Sequence, residues 1–391
     1  MNRRRFLQRS LASAALGFAN FGAPSATMSA APSTAPYRNL LVLIELRGGN
    51  DGLNTLVPFE DPAYYALRPK LAITRDSVVQ LSTRAGLHPA LAPLVPLWES
   101  RQLAILQGVG YPEPNLSHFR SIEIWDTASS SDTYMQDGWL TRAFAAAPPP
   151  SAFAADGVIV GSSDLGPLAG SGTRTIALAN TEQFLRRARL AAPEGAARNK
   201  ALEHILKVEA DIVQAASHLD ARRVFKTEFP ADAFGNAIHT ACQAIANPSG
   251  IAVVRVTLGG FDTHGGQAPT QARLLGMLAS GIVALRSALI EIDRWDSTLV
   301  LTYAEFGRRP RENLSNGTDH GTAGVQFALG GRVAGGFYGG EPRLDRLGSD
   351  GNLAYALDFR SVYAAVLERW WGLPSAPIIG GGFTPVPFVN A

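Results

Sequence analysis

Residues 39–46 (NLLVLIEL) form a short run that is apolar at almost every position and bounded by polar residues. A strand with one wet face alternates apolar and polar side chains. A near-continuous apolar run of this length therefore reads as a strand buried on both faces, central in a parallel sheet. Comparable runs return at 103–109, 251–258, 297–304 and 325–331. Helical patterns fall between or after them, at 117–125, 268–295 and 358–371, with Asp358 as N-cap of the last. With 391 residues, 46% of them hydrophobic and 17% charged, the chain has ample apolar surface for a large core. These features predict an α/β fold with a mostly parallel sheet flanked by helices.

The ends of these strands carry the chemistry. Asp51 lies in the glycine-rich turn RGGNDG after the first run. Asp262 and His264 lie in GGFDTHGGQ (259–267) after the run at 251–258. Glu305 follows the run at 297–304, and Asp319 and His320 lie in the next glycine-rich turn, GTDHGT. Ser117, with His118 and Arg120 just after it, opens the helix that follows the run at 103–109. Each has an ordinary reading alone: an Asx turn for the aspartates, a helix cap for Ser117, a structural role for the histidines.

Together they say more, because parallel strands deliver their carboxyl ends to one edge of the sheet, where ligand sites collect. Several carboxylates gathered there repel unless a cation sits among them. A divalent metal is the natural counter-charge, with Zn, Mn, Mg and Ca all compatible. A serine at a helix N-terminus beside such a metal is suited to phosphoryl or sulfuryl transfer.

The ordered blocks GGNDGLN, PNLSHFRSIEIWDTA, GGFDTHGGQ, AEFGRRP and GTDHGTAG resemble the bacterial twin-arginine-exported domain-of-unknown-function 1501 family. That family is in turn similar to the alkaline phosphatase/sulfatase superfamily. The resemblance implies a doubly wound α/β sandwich with Ser117 in the nucleophile's place. It puts Asp51, Asp262, His264, Glu305 and His320 at metal-binding places, with Asp319 a possible substitute ligand. Where the superfamily has Asp-His-Gly, this chain has Glu305-Phe306-Gly307, and Phe306 cannot ligate a metal. A protein cation, Arg308 or Arg120, is one candidate replacement for a second metal. The Gly-Asn-Asp stretch also resembles a block of the SGNH esterases, but no Gly-Asp-Ser block precedes it.

Residues 1–36 carry Arg-Arg-x-Phe-Leu, a modest apolar stretch and small residues, the pattern of a twin-arginine signal peptide. They hold four arginines and no acid, so their removal turns the net charge from +2 to −2. Nothing then points to a nucleic-acid surface. The single Cys242 cannot form an internal disulfide. No other stretch is expected to span a bilayer. The remainder, 37–391, is expected to form one α/β domain, with 144–250 a possible cap or insertion, helical over 181–225. His204, His218 and His239 lie there without a ligand pattern.

The expected function is an exported metal-dependent hydrolase of phosphate or sulfate esters acting through Ser117, its natural substrate unidentified. The alternatives are a non-catalytic metal- or ligand-binding protein on the same fold, and a metal-independent serine esterase using Ser117, His320 or His264, and an aspartate. The partners expected are the ester substrate and the twin-arginine export machinery.

Overall fold

The computed structural model describes residues 36–178 and 223–390. The signal pattern and most of the 181–225 helical expectation, with His204 and His218, lie outside them. The main sheet has nine strands: β1 (Leu40–Arg47), β2 (Leu103–Gly110), β3 (Ala155–Val160), β4 (Thr175–Leu178), β5 (Ile251–Gly259), β6 (Thr298–Tyr303), β7 (Gly324–Leu329), β8 (Gly336–Gly339) and β9 (Leu357–Asp358). Their order is β8-β2-β7-β6-β1-β5-β3-β4, with β9 also paired to β2. Every pairing is parallel except the two made by β7. The sheet is thus mostly parallel, as its apolar runs require, and β1 lies near its middle. A separate three-stranded antiparallel sheet joins Leu56–Val57, Val79–Gln80 and Gly86–Leu87.

Helices cover both faces, which makes the sandwich doubly wound. Leu40, Val42, Ile44 and Leu46 of β1 point into one core. There they meet α5 (Ala233–Ile245) and α6 (Gln267–Glu291) through Ile238, Leu275, Leu278 and Leu285. Leu41 and Leu43 point the other way. They join Trp125 of α3 (His118–Thr127), Trp139 of α4 (Trp139–Ala146) and Phe359 of α7 (Phe359–Ala364). Asp358 caps α7 as its sequence position predicts, accepting from Arg360 N.

One expectation changes here. Helix α6 is long and apolar enough to cross a membrane by length and composition, with a mean hydropathy of 1.6 in its most apolar window. Its leucines are buried against the sheet, and this core role accounts for the composition. Within 144–250, β3, β4 and α5 build the sheet and one of its helix layers, so the described part of this region is body of the fold. His239 sits on α5 against Phe229, with ring centroids 4.6 Å apart.

The second face also buries charge beneath the carboxyl ends of the central strands. Arg255 of β5 donates to Glu45 of β1 at 2.9 Å and to the Tyr303 hydroxyl of β6 at 2.9 Å, and all three are buried. Burial raises the nearby Asp126 carboxyl well above its usual range.

Candidate metal centre

The parallel strands β1, β2, β5 and β6 end at one edge, and β7 begins there. The loops at that edge bring Asp262, His118, His264 and His320 together. Asp262, past the end of β5, is the hub. Its Oδ1 lies 3.1 Å from His264 Nε2 and 3.2 Å from His320 Nε2, and its Oδ2 lies 3.4 Å from His118 Nε2. His264 Nε2 and His320 Nε2 are 2.9 Å apart. One donor atom from each of His118, Asp262 and His320 fits within 4.8 Å of the others.

Each imidazole is held by its other nitrogen. His118 Nδ1 is 2.7 Å from Glu305 Oε1, His264 Nδ1 is 3.3 Å from Asp319 Oδ1, and His320 Nδ1 is 2.7 Å from the Leu116 carbonyl. All three partners only accept, so each Nδ1 is placed to donate to them, which leaves each Nε2 as the nitrogen free to ligate. His264 Nε2, His320 Nε2 and Asp262 Oδ1 lie 2.9–3.2 Å from one another, with His118 Nε2 3.4 Å from Asp262 Oδ2, a crowding of acceptors that is repulsive unless protons or a cation lie between them. In a tetrahedral shell with bonds of about 2 Å the donors stand about 3.3 Å apart. The donor set therefore fits a metal ion. The acceptors on the Nδ1 side match the outer partners that orient metal-binding histidines and raise their basicity.

The electrostatics agree. Burial works to raise the Asp262 carboxyl, but the hydrogen bond and charge of Arg308, with the nearby His320 and His264, hold it down at about 2. Burial lowers His320 against the pull of the Leu116 carbonyl and Asp262, which favours its neutral, ligating form. A hydrogen bond from Asn313 lowers Asp319, with His264 adding to it.

Other predicted site residues have different tasks. Asp51 is buried and caps the short helix α1 (Gly52–Thr55) by accepting from Leu53 N. Arg68 clasps it with both terminal nitrogens, at 2.5 and 3.0 Å, and Gln267 Nε2 donates to it as well. Its oxygens are committed to this network. Glu305 is buried and accepts from the N–H groups of Gly48 and Gly49 as well as facing His118. It orients an imidazole. Arg120 turns to the carbonyls of Ser130, Ser131 and Thr133 and lies over the Tyr134 ring. It braces that loop and is not among the groups that touch the cluster.

Arg308 is the protein cation at the centre. Its buried guanidinium donates to Gly49 O at 2.8 Å, Thr318 O at 2.9 Å, Phe261 O at 3.1 Å, Gly48 O, and Asp262 Oδ1 at 2.7 Å. It thereby ties the loop after β1 to the loop after β5 and to the His320 turn. Phe306, also buried, packs its ring on His320 (centroids 4.4 Å apart) and His118 (4.9 Å). It walls the imidazoles from below. Gly49, at φ +79, is needed there, because a Cβ would meet the Phe306 ring at 2.4 Å. Gly49→Ala is expected to destabilise the fold by about 2–4 kcal/mol through clash and left-handed strain, measurable as a lower urea midpoint.

Ser117 is exposed and stands as N-cap of α3, between Leu116 and His118, both of which touch the cluster. Its side chain does not cap the helix, which leaves the first-turn N–H groups open. Among the described residues its hydroxyl bonds to no imidazole.

The fold and these residues define an α/β protein with a histidine–carboxylate cluster at the carboxyl edge of its sheet. The chain belongs to the family described as protein of unknown function (DUF1501), whose model matches residues 98–378. No curated protein matches it. Solved structures similar to it include the lipoteichoic acid synthase LtaP from Listeria monocytogenes, at 7% identity and TM-score 0.40, covering 90% of this chain and 77% of that one. The phosphonate monoester hydrolase of Agrobacterium radiobacter is another, at 10% and 0.37, covering 88% and 78%. A TAB5 alkaline phosphatase is a third, at 11% and 0.37, covering 77% and 94%.

Proposed function

We propose that this protein is an exported, metal-dependent hydrolase of phosphate or sulfate esters, with Ser117 as nucleophile. The observation that carries the reading is the convergence of three Nε2 lone pairs and the Asp262 carboxylate beside the open N-terminus of the helix that Ser117 begins. His118, His264, His320 and Asp262 are the ligands. With Asp51 and Glu305 committed elsewhere, the set is rich in nitrogen, which suits Zn or Mn better than Mg or Ca. When bound, the metal would lower the pKa of a nearby hydroxyl and offset negative charge on the ester.

The chain's own groups do the rest. The Ser117 hydroxyl gives up its proton and attacks phosphorus or sulfur, the ester's alcohol leaves with the bonding pair and takes up a proton, and water then releases phosphate or sulfate and restores the serine. The free N–H groups of the first turn of α3 and the positive end of its dipole favour the negative charge on the equatorial oxygens of the five-coordinate transition state. Glu305 and Asp319 keep His118 and His264 in register through their Nδ1 protons. The Arg-Arg-x-Phe-Leu leader fits export through the twin-arginine machinery, which passes chains already folded around their cofactor.

The test is a screen of aryl phosphates, phosphodiesters and sulfates with the metal-loaded protein. Turnover is expected on at least one class, with loss in chelator and a fall of at least about 10³-fold in Ser117→Ala, as expected when a nucleophile is removed. Full activity in Ser117→Ala would remove the serine from the mechanism. Bound metal without turnover on any ester would favour a binding protein, the reading supported by the commitment of Asp51 and Glu305 to structural partners. Carboxylic-ester cleavage that survives chelator would favour the metal-free esterase.

A further inference from the structure

We propose that the centre holds one divalent cation only, because Arg308 is a built-in second positive charge. This rests on the reading of the His/Asp cluster as a metal site and goes on to fix its stoichiometry.

The oxygens that a second ion would need are already taken. Asp51 is clasped by Arg68, Leu53 N and Gln267, and Glu305 by Gly48 N, Gly49 N and His118. Phe306 fills the space beneath the imidazoles with an apolar ring. One oxygen of Asp262 accepts from Arg308 at 2.7 Å, which leaves Oδ2, facing His118, as the oxygen most open to an ion.

The charge balance agrees. Asp262, Glu305 and Asp319 bring three negative charges and Arg308 one positive, and an imidazole that ligates a metal does so uncharged. The remaining −2 is cancelled by one divalent cation, whereas a second would leave an excess of +2 in a partly buried site. Arg308 cannot move aside to admit one. Its side chain is fully buried, and its five donor contacts cross-link three loops. Being an arginine, it cannot shed its proton either.

The experiment is a zinc and manganese titration of the full-length mature protein, read by native mass spectrometry and by elemental analysis after desalting. One ion per chain is expected. Two ions per chain of similar affinity, or none, would overturn the proposal. Arg308→Lys, which keeps the charge, is expected to hold one ion with affinity within about threefold of wild type. Arg308→Met, if folded by circular dichroism, is expected to bind its first ion at least about tenfold tighter, because a like charge has left the site. Unchanged or weaker binding by folded Arg308→Met would assign Arg308 a purely structural role. The outcome is separable from the ester screen. Two ions with turnover would sink this inference and spare the hydrolase, and one ion without turnover would do the reverse.

Discussion

Asp262→Asn is expected to lose metal binding almost entirely while the protein stays folded. Asp262 is the one side chain in contact with His118, His264, His320 and Arg308 together. Among the described residues it is also the only carboxylate facing all three Nε2 atoms, so the variant removes the one anionic group of the proposed ligand set and keeps the shape. A loss of at least about 10³-fold in affinity is expected, about 4 kcal/mol at 1.4 kcal/mol per factor of ten. Ester turnover should fall with it. Stability should change little, since the side chain is 46% exposed and the amide oxygen that replaces the carboxylate can still accept from Arg308. By contrast, Asp319→Asn acts only through His264 and should cost about 10- to 100-fold, the usual range for an outer partner. Chelator competition on both variants checks the ranking. Asp262→Asn that keeps wild-type affinity would show that the ion, if any, lies elsewhere.

The fold was largely legible because its strands are buried on both faces. A run such as that at 39–46 has few other places to go, and the structure puts it in the middle of the sheet. The short outer strands β4, β8 and β9 were not foreseen. Two to four residues of ordinary composition carry no period, and pairing with longer neighbours makes them strands. The gathering of Asp262, His264 and His320 at one edge followed from parallel strands ending in glycine-rich turns. What the sequence could not tell is which carboxylates face the imidazole cluster. Arg68 is 17 positions from Asp51, and Gln267 is 216. Neither spacing marks a pair. Glu305 is claimed partly by backbone N–H groups of Gly48 and Gly49, and a backbone donor has no letter of its own. His118 looked structural alone because its orienting partner, Glu305, lies 187 positions away. Arg308 could be named as a candidate cation, but that it outranks Arg120 depends on which way each guanidinium turns.

Asp51 gives the sharpest contrast between a ligand reading and a structural one. As a ligand, its loss would strip metal and leave stability nearly intact. The geometry leads to the opposite expectation. The Arg68 and Asp51 side chains are 0% and 1% exposed, and they meet through two hydrogen bonds. Asp51→Ala strands a buried guanidinium that keeps only Asn54 Oδ1 and the carbonyls of Arg309 and Pro310. Breaking one side of such a pair typically costs 3–5 kcal/mol, so a loss of about 4 kcal/mol is expected in urea denaturation. Replacing both partners with apolar residues of similar size should recover much of it, because the stranded charge is then gone. The metal content of Asp51→Ala, measured on the fraction still folded, should match wild type. If instead that variant keeps its urea midpoint and loses its metal, Asp51 is a ligand after all, and the Arg68 clasp must open when the ion binds.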